Sequence, residues 1–121
     1  MAAHNELGNK GEQIAVNFLR KNGYQILEQN WHFKQKEIDI IAIQGDTLIV
    51  AEVKTRSTEN WEHPSEAINN SKIKFLVDAT EAFIEERDID KEIRFDIISV
   101  IPENGEWKIE HIEEAFYPPM N

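Results

Sequence analysis

Cysteine is absent from this 121-residue chain, which excludes disulfide staples and thiolate metal sites. Long apolar runs are missing as well. None approaches the roughly 18 residues that span a bilayer, so no membrane partner is expected. Residues Met1 to Glu6 lack the basic-then-apolar order of a secretory signal, and a cytoplasmic location is the default expectation. Internal repeats, low-complexity tracts and linkers rich in Gly, Ser or Pro are also lacking, so residues 1–121 are read as a single domain. Basic charge is scarce. The 13 Lys and Arg residues face 23 Asp and Glu, a net charge of −10, which opposes general affinity for phosphate backbones.

What is present softens that last exclusion. The acids are unevenly spread: residues 81–114 hold 12 acids and 4 bases, and residues 1–80 hold 11 acids and 9 bases. Four of those 11 are candidate metal ligands, and a bound cation would offset part of their charge. The acidic 81–114 segment is a candidate docking face for a basic protein partner. With 40% hydrophobic residues, the chain has enough apolar material for a packed core.

Asn9-Lys10-Gly11-Glu12 reads as a helix start, with Asn9 capping and Glu12 reaching back to it. Ile14, Ala15, Phe18 and Leu19 then follow helical spacing, and Gly23 stops a helix of about residues 10–22. Residues 24–33 form an extended but irregular strand. Two β-branched runs, 37–43 and 48–54, are apolar on both faces, as in buried central strands, and flank a Gly45-Asp46 hairpin turn. Residues 56–64 read as a polar loop. A second helix follows, capped by Asn70 or Ser71, with Ile73, Leu76, Val77, Thr80, Phe83 and Ile84 on one face. Strands near 93–101 and 106–112 close an α-β-β-β-α-β-β order, an α/β domain with a mixed sheet.

The hairpin fixes a register. Loops of two or four residues both pair positions whose numbers sum to 91, which sets Asp39 opposite Glu52 and Glu37 opposite Lys54 on one face. Facing carboxylates repel unless a proton or a cation lies between them. Hard oxygen donors suit Mg²⁺ or Mn²⁺, and Lys54 would orient a water or stabilise developing negative charge. In outline that is a phosphodiester hydrolase site. The same residues also fit a plain reading, with Glu37–Lys54 an ordinary cross-strand ion pair and Asp39 merely beginning a strand. Charges between apolar flanks are costly without a partner or a function, which favours the site.

Several stretches resemble the PD-(D/E)XK nuclease superfamily, and within it a YraN-like bacterial family of small endonuclease-like proteins similar in fold to archaeal Holliday-junction resolvases. They are Gly11-Glu12-x-x-Ala15, Leu19 with Gly23-Tyr24-x-Ile26-Leu27, Asn30, Glu37-Ile38-Asp39, Glu52-Val53-Lys54-Thr55-Arg56-Ser57 and Arg94-Phe95-Asp96. The resemblance implies a restriction-endonuclease-like three-layer α/β/α domain that cuts DNA, including branched or structured DNA, with Mg²⁺ or Mn²⁺. It implies that Asp39 and Glu52 bind the metal, that Glu12 completes the acidic cluster and that Lys54 is the catalytic lysine; Glu37 matches the pattern as well. Resolvase-like nucleases often act as dimers, so a second copy is an expected partner. The chain departs from the family in having Lys36 where glycine usually precedes the Glu-Ile-Asp stretch, in Ile73 where a glutamine is common, and in its acidity.

Arg56, Lys72, Lys74 and Lys36, with Lys34 behind them, are candidate phosphate contacts, and Trp61 is a candidate base-stacking residue. Trp31 reads as core, and His32 and His111 as structural; His63 is a weaker candidate for proton transfer. No Ser-His-Asp order, phosphate-binding Gly-rich loop or His-x-x-x-His pair is present. Two other functions fit the same residues: a non-catalytic nucleic-acid-binding or assembly module that keeps the nuclease fold, and an interaction protein with neither activity.

Overall fold

The computed structural model describes residues 2–55 and 69–116, with side chains from Leu7 onward. The elements run α1 (Ala2–Lys21), β1 (Gln25–Phe33), β2 (Lys36–Gln44), β3 (Thr47–Thr55), α2 (Asn70–Arg87), β4 (Glu92–Glu103) and β5 (Glu106–Ile112). Among the described residues the strands form one five-stranded mixed sheet in the order β1-β2-β3-β4-β5. The β3–β4 pair is parallel and the other neighbours are antiparallel. A parallel pair needs a long crossover, and α2 lies within it. None of the described helices is long and apolar enough to cross a membrane.

The α/β order matches the sequence pattern, with two corrections at helix starts. Helix α1 begins at Ala2, so Asn9 and Glu12 lie within it and form no capping box. Ala2-Ala3 favours helix, and no proline interrupts the following residues. Helix α2 is capped by Asn69 and not by Asn70 or Ser71: the Asn69 side chain accepts from the Lys72 backbone N–H at 2.8 Å. Gly23 does end α1, at φ +88°, with Tyr24 N–H donating to Leu19 C=O and Gly23 N–H to Arg20 C=O. This two-bond cap needs a left-handed residue, which glycine adopts without a Cβ penalty.

Each sheet face is covered by one helix. Ala15, Val16 and Leu19 of α1 pack with Ile40, Ala42, Ile49, Ala51, Ile98 and Val100. On the other face Leu76, Ala79 and Phe83 of α2 pack with Ile38, Ile41, Leu48, Val50 and Phe95. Alternation along β3 thus sends 49 and 51 to α1 and 48 and 50 to α2, which is why this strand is apolar on both faces. Trp31 belongs to the α2 side, edge-on to Phe83 with ring centroids 5.1 Å apart.

A charged network ties β4, β5 and the following turn together. Asp96 is fully buried, and both its oxygens are occupied. Arg94 donates to them through Nε at 3.0 Å and Nη2 at 2.9 Å, His111 Nε2 lies 2.7 Å away, and the Glu114 backbone N–H donates at 3.1 Å. Arg94 also donates to the Tyr24 hydroxyl and pairs with Glu113. Burial raises the Asp96 pKa, but the hydrogen bonds from His111, Arg94 and Glu114 outweigh it and hold the carboxyl below its ordinary value. Both His111, as expected, and the Arg94-Phe95-Asp96 stretch are thereby structural. Beyond them Phe116 stacks on Phe95, with centroids 5.1 Å apart.

Removing one partner of a buried charged set strands the other. Asp96→Ala is therefore expected to cost about 3–5 kcal/mol in urea unfolding, whereas Glu113→Gln, at an exposed partner of the same arginine, costs under about 1 kcal/mol. Equal and small losses would contradict this assignment.

Candidate metal centre

The β2–β3 hairpin has the expected two-residue turn and register, from Gln44↔Thr47 to Ile40↔Ala51. The pairing then stops, one position short of Asp39 and Glu52. Asp39 Oδ2 instead accepts the Val53 backbone N–H at 2.9 Å. The aspartate side chain thus lies in the gap between the two strands and supplies the acceptor that the ladder no longer provides. The expected Glu37–Lys54 opposition is not formed either. Glu37 pairs in register with His32 of β1, and their side chains meet at 3.1 Å.

The separation lies beside Asn30 of β1, the position across from Asp39 between the pairs Gln29↔Ile40 and Trp31↔Ile38. Asn30 adopts a left-handed φ of +52°, and inward residues switch sides there, with Ile40 facing α1 but Ile38 and Trp31 facing α2. The Asn30 side chain hydrogen-bonds Glu12. Glu12 reaches this region because Gly11, buried in α1, lets the helix lie directly against the end of β3; a Cβ there would overlap the Thr55 side chain.

Glu52 occupies the α2-facing set of β3 and is only 2% exposed. Its Oε1 is held by Lys72 Nζ, from the first turn of α2, at 2.9 Å. Its Oε2 is buried and makes no hydrogen bond among the described residues. Lys72, expected among the phosphate contacts, is therefore engaged by the buried acid. Burial depresses the Lys72 pKa, but its hydrogen bond to Glu52 and the charges of Glu52 and Asp39 outweigh this and hold it above its ordinary value.

Two further carboxyls, Asp39 and Glu12, are driven toward their neutral forms. Burial raises the Asp39 pKa to about 7, reinforced by the charges of Glu52 and Glu12 and opposed by the Val53 N–H and Lys72. Glu12 is also raised: burial and the charges of Glu37 and Glu52 exceed the opposing hydrogen bond from Asn30. Asp39, Glu52, Glu12 and Glu37 therefore form one electrostatically coupled acidic cluster.

No three acidic or histidine side chains among the described residues stand ready to ligate one ion. Mg²⁺ does not need three, because it commonly uses one or two protein carboxylates and fills its remaining positions with water and phosphate oxygens. The residues fit such an ion on two counts: the donors are hard oxygens, and Glu52 Oε2 is a buried acceptor without a donor. Mutual repulsion in the cluster is the third condition that a cation would relieve.

Lys54 is half-buried and has no acidic partner among the described residues. Its neighbour in the β3–β4 register is Ser99, whose buried hydroxyl is also without a hydrogen bond. Sequence reasoning missed Ser99, Asn30 as the partner of Glu12, and the Lys72–Glu52 pair. Only the last left a signal, a lysine three residues after the helix cap. Lys34, Lys36 and Lys74 are exposed near the start of α2 and the β1–β2 turn. Arg56, Trp61 and His63 lie outside the described residues, as does the 56–64 loop expected around them.

The profile of uncharacterised protein family UPF0102 matches residues 11–100, a span that contains every acid of the cluster. A UPF0102 protein of Christiangramia forsetii is 50% identical over 117 residues, covering 97% of this chain and 98% of that protein. Another from Flavobacterium psychrophilum is likewise 50% identical over 117 residues, with the same coverage. One from Bacteroides thetaiotaomicron is 48% identical over 120 residues, 99% of each chain.

The raised Asp39 pKa has a definite consequence for stability. A carboxyl with a folded pKa near 7 and an ordinary value of 3.8 stabilises the fold fully below pH about 4, and that contribution is lost as pH rises through 7. In metal-free buffer the unfolding free energy should fall on the order of 1 kcal/mol per pH unit over that window. Asp39→Asn should flatten the slope and raise the melting temperature at pH 8, and an unchanged slope in the variant would refute the assignment.

Proposed function

The chain belongs to family UPF0102, and from its acidic cluster we propose that it is a metal-dependent endonuclease of the PD-(D/E)XK type, hydrolysing phosphodiester bonds in DNA, including branched or structured DNA. The observation that carries this reading is the buried Glu52, with one oxygen paired to Lys72 and the other without a partner, beside an Asp39 forced toward neutrality. The mixed sheet with a helix on each face fits a restriction-endonuclease-like three-layer domain, and the ordered motif stretches fit that superfamily.

In this reading Asp39 and Glu52 hold Mg²⁺ or Mn²⁺, with Glu12 at the edge of the cluster. When bound, the ion supplies Lewis-acid polarisation of a phosphoryl oxygen and lowers the pKa of attacking water. Asp39 keeps its position through the Val53 N–H, so its second oxygen is aimed without a search over rotamers. Lys54, two residues from Glu52 on the same face of β3, places a positive charge where negative charge builds on phosphate. Lys72 keeps Glu52 oriented by remaining on Oε1. Glu37, beside exposed His32, lies at the rim and tunes the field of the cluster.

One observation favours a second reading, a nucleic-acid-binding module without catalysis: an ammonium group already neutralises part of the most deeply buried acid of the cluster. Cleavage separates the two. With Mg²⁺ or Mn²⁺, purified protein should cut branched, flapped or single-stranded DNA. Asp39→Asn, Glu52→Gln and Lys54→Ala should each reduce the rate on the order of 100-fold or more while circular dichroism stays native. Binding without cutting, or variants that cut at the wild-type rate, would reject the nuclease reading.

A further inference from the structure

A second feature lies beside the acidic cluster. The β1–β2 turn and the first two turns of α2 enclose a cleft of about 510 Å³, lined by Phe33, Lys34, Lys36, Ser71, Lys74 and Phe75. That volume falls within the roughly 300–1,000 Å³ of small-molecule sites. Its apolar element is a pair of rings, Phe33 and Phe75, with centroids 6.2 Å apart and planes tilted by 44°. Both rings are anchored on the α2-side core, so their outer surfaces are presented with little side-chain freedom.

The cationic element is unusual for this chain. Three of its 13 basic residues gather on the rim. Lys34 Nζ lies 5.3 Å from the Phe33 ring centroid and Lys36 Nζ 5.7 Å from that of Phe75. Neither lysine has an ion pair among the described residues. Lys74 pairs with Asp78, also in the lining, at 3.1 Å, but both side chains are exposed (75% and 43%), so the pair is weak and readily exchanged. Lys34 is held in a left-handed conformation at φ +60°, a backbone cost for a non-glycine residue that turns its side chain back over the ring.

Aromatic faces rimmed by ammonium groups match one chemistry, a flat base with a phosphate attached. Such stacking requires an uncovered base face, which a nucleotide inside a duplex does not offer. The cleft is also connected to the cluster. Lys36 directly precedes Glu37, and Ser71 directly precedes Lys72, whose ammonium is on Glu52.

We infer that this cleft seats an unpaired deoxynucleotide, its base against Phe33 and Phe75 and its phosphates against Lys34, Lys36 and Lys74. The DNA processed at the neighbouring acidic cluster then carries a single-stranded segment next to the phosphate that is cut, as in a flap or an open branch. The substrate clause and the choice of DNA over RNA rest on the nuclease reading; the seating of an unpaired nucleotide does not.

The test is fluorescence anisotropy of the full chain in EDTA and low salt, with a 12-nucleotide oligothymidylate, the matching 12-base-pair duplex and the oligouridylate. Wild type should bind the single strand about tenfold more tightly than the duplex. The exposed double variant Lys34→Glu/Lys36→Glu should weaken single-strand binding about tenfold or more. Phe75→Leu, which keeps an apolar side chain, should weaken it about tenfold by loss of stacking. Equal affinity for duplex and single strand, or unchanged binding in both variants, overturns the proposal. Tighter binding of oligouridylate that depends on the same residues overturns its DNA assignment. Because this measurement requires no cleavage, loss of binding in these variants supports the cleft even if no substrate is ever cut. Conversely, Glu52-dependent cutting that ignores both variants leaves the nuclease reading standing and refutes the cleft.

Discussion

The central constraint is a carboxylate taken out of water with only half of its hydrogen-bonding capacity met. Glu52 is 2% exposed, Lys72 holds one oxygen, and the other has no donor among the described residues. Burying an ionised carboxylate costs several kcal/mol even after relaxation, so the surroundings must compensate. The first turn of α2 delivers an ammonium group. The β2–β3 ladder stops just before Asp39, whose side chain takes over a backbone acceptor's role. Gly11 allows α1 to close onto β3 and brings Glu12 within range.

A second buried acid in the same sheet shows what a purely structural solution looks like. Asp96 is as deeply buried, yet Arg94, His111 and the Glu114 N–H occupy both its oxygens, and its pKa is lowered. At Asp39 the pKa is raised instead, to about 7. One acid is satisfied and locks two strands together; the other set is left mutually repulsive. Unsatisfied buried polar groups and upward-shifted carboxyls concentrate where a ligand or a reaction supplies what the protein withholds.

The architecture was legible because it depends on local rules. Two-faced apolar runs gave β2 and β3, a Gly-Asp turn gave their register, and Gly23 gave the end of α1. The first misreading came from Asn9 and Glu12, which carry a capping signature that the longer helix overrides. The second was extending the ladder past Ile40↔Ala51, since a left-handed Asn30 and a side chain replacing a backbone acceptor leave no periodic trace. The grouping of Asp39 with Glu52 survived the misplaced pairing, because strand order alone brings them near. Lys72, expected to contact phosphate, pairs with Glu52 instead for a similar reason: that partner is 20 positions away, across a crossover whose geometry periodicity cannot supply.

Calorimetric titration tests the proposed divalent-cation site at the cluster without reference to any substrate. Mn²⁺ added to the wild-type chain at pH 6, below the Asp39 pKa of about 7, should bind at a single site and release protons, because Asp39 must ionise. The affinity should fall about tenfold or more in Glu52→Gln, and the proton release should vanish in Asp39→Asn. Binding of equal strength in wild type and both variants, or no binding in any of them, would contradict the account.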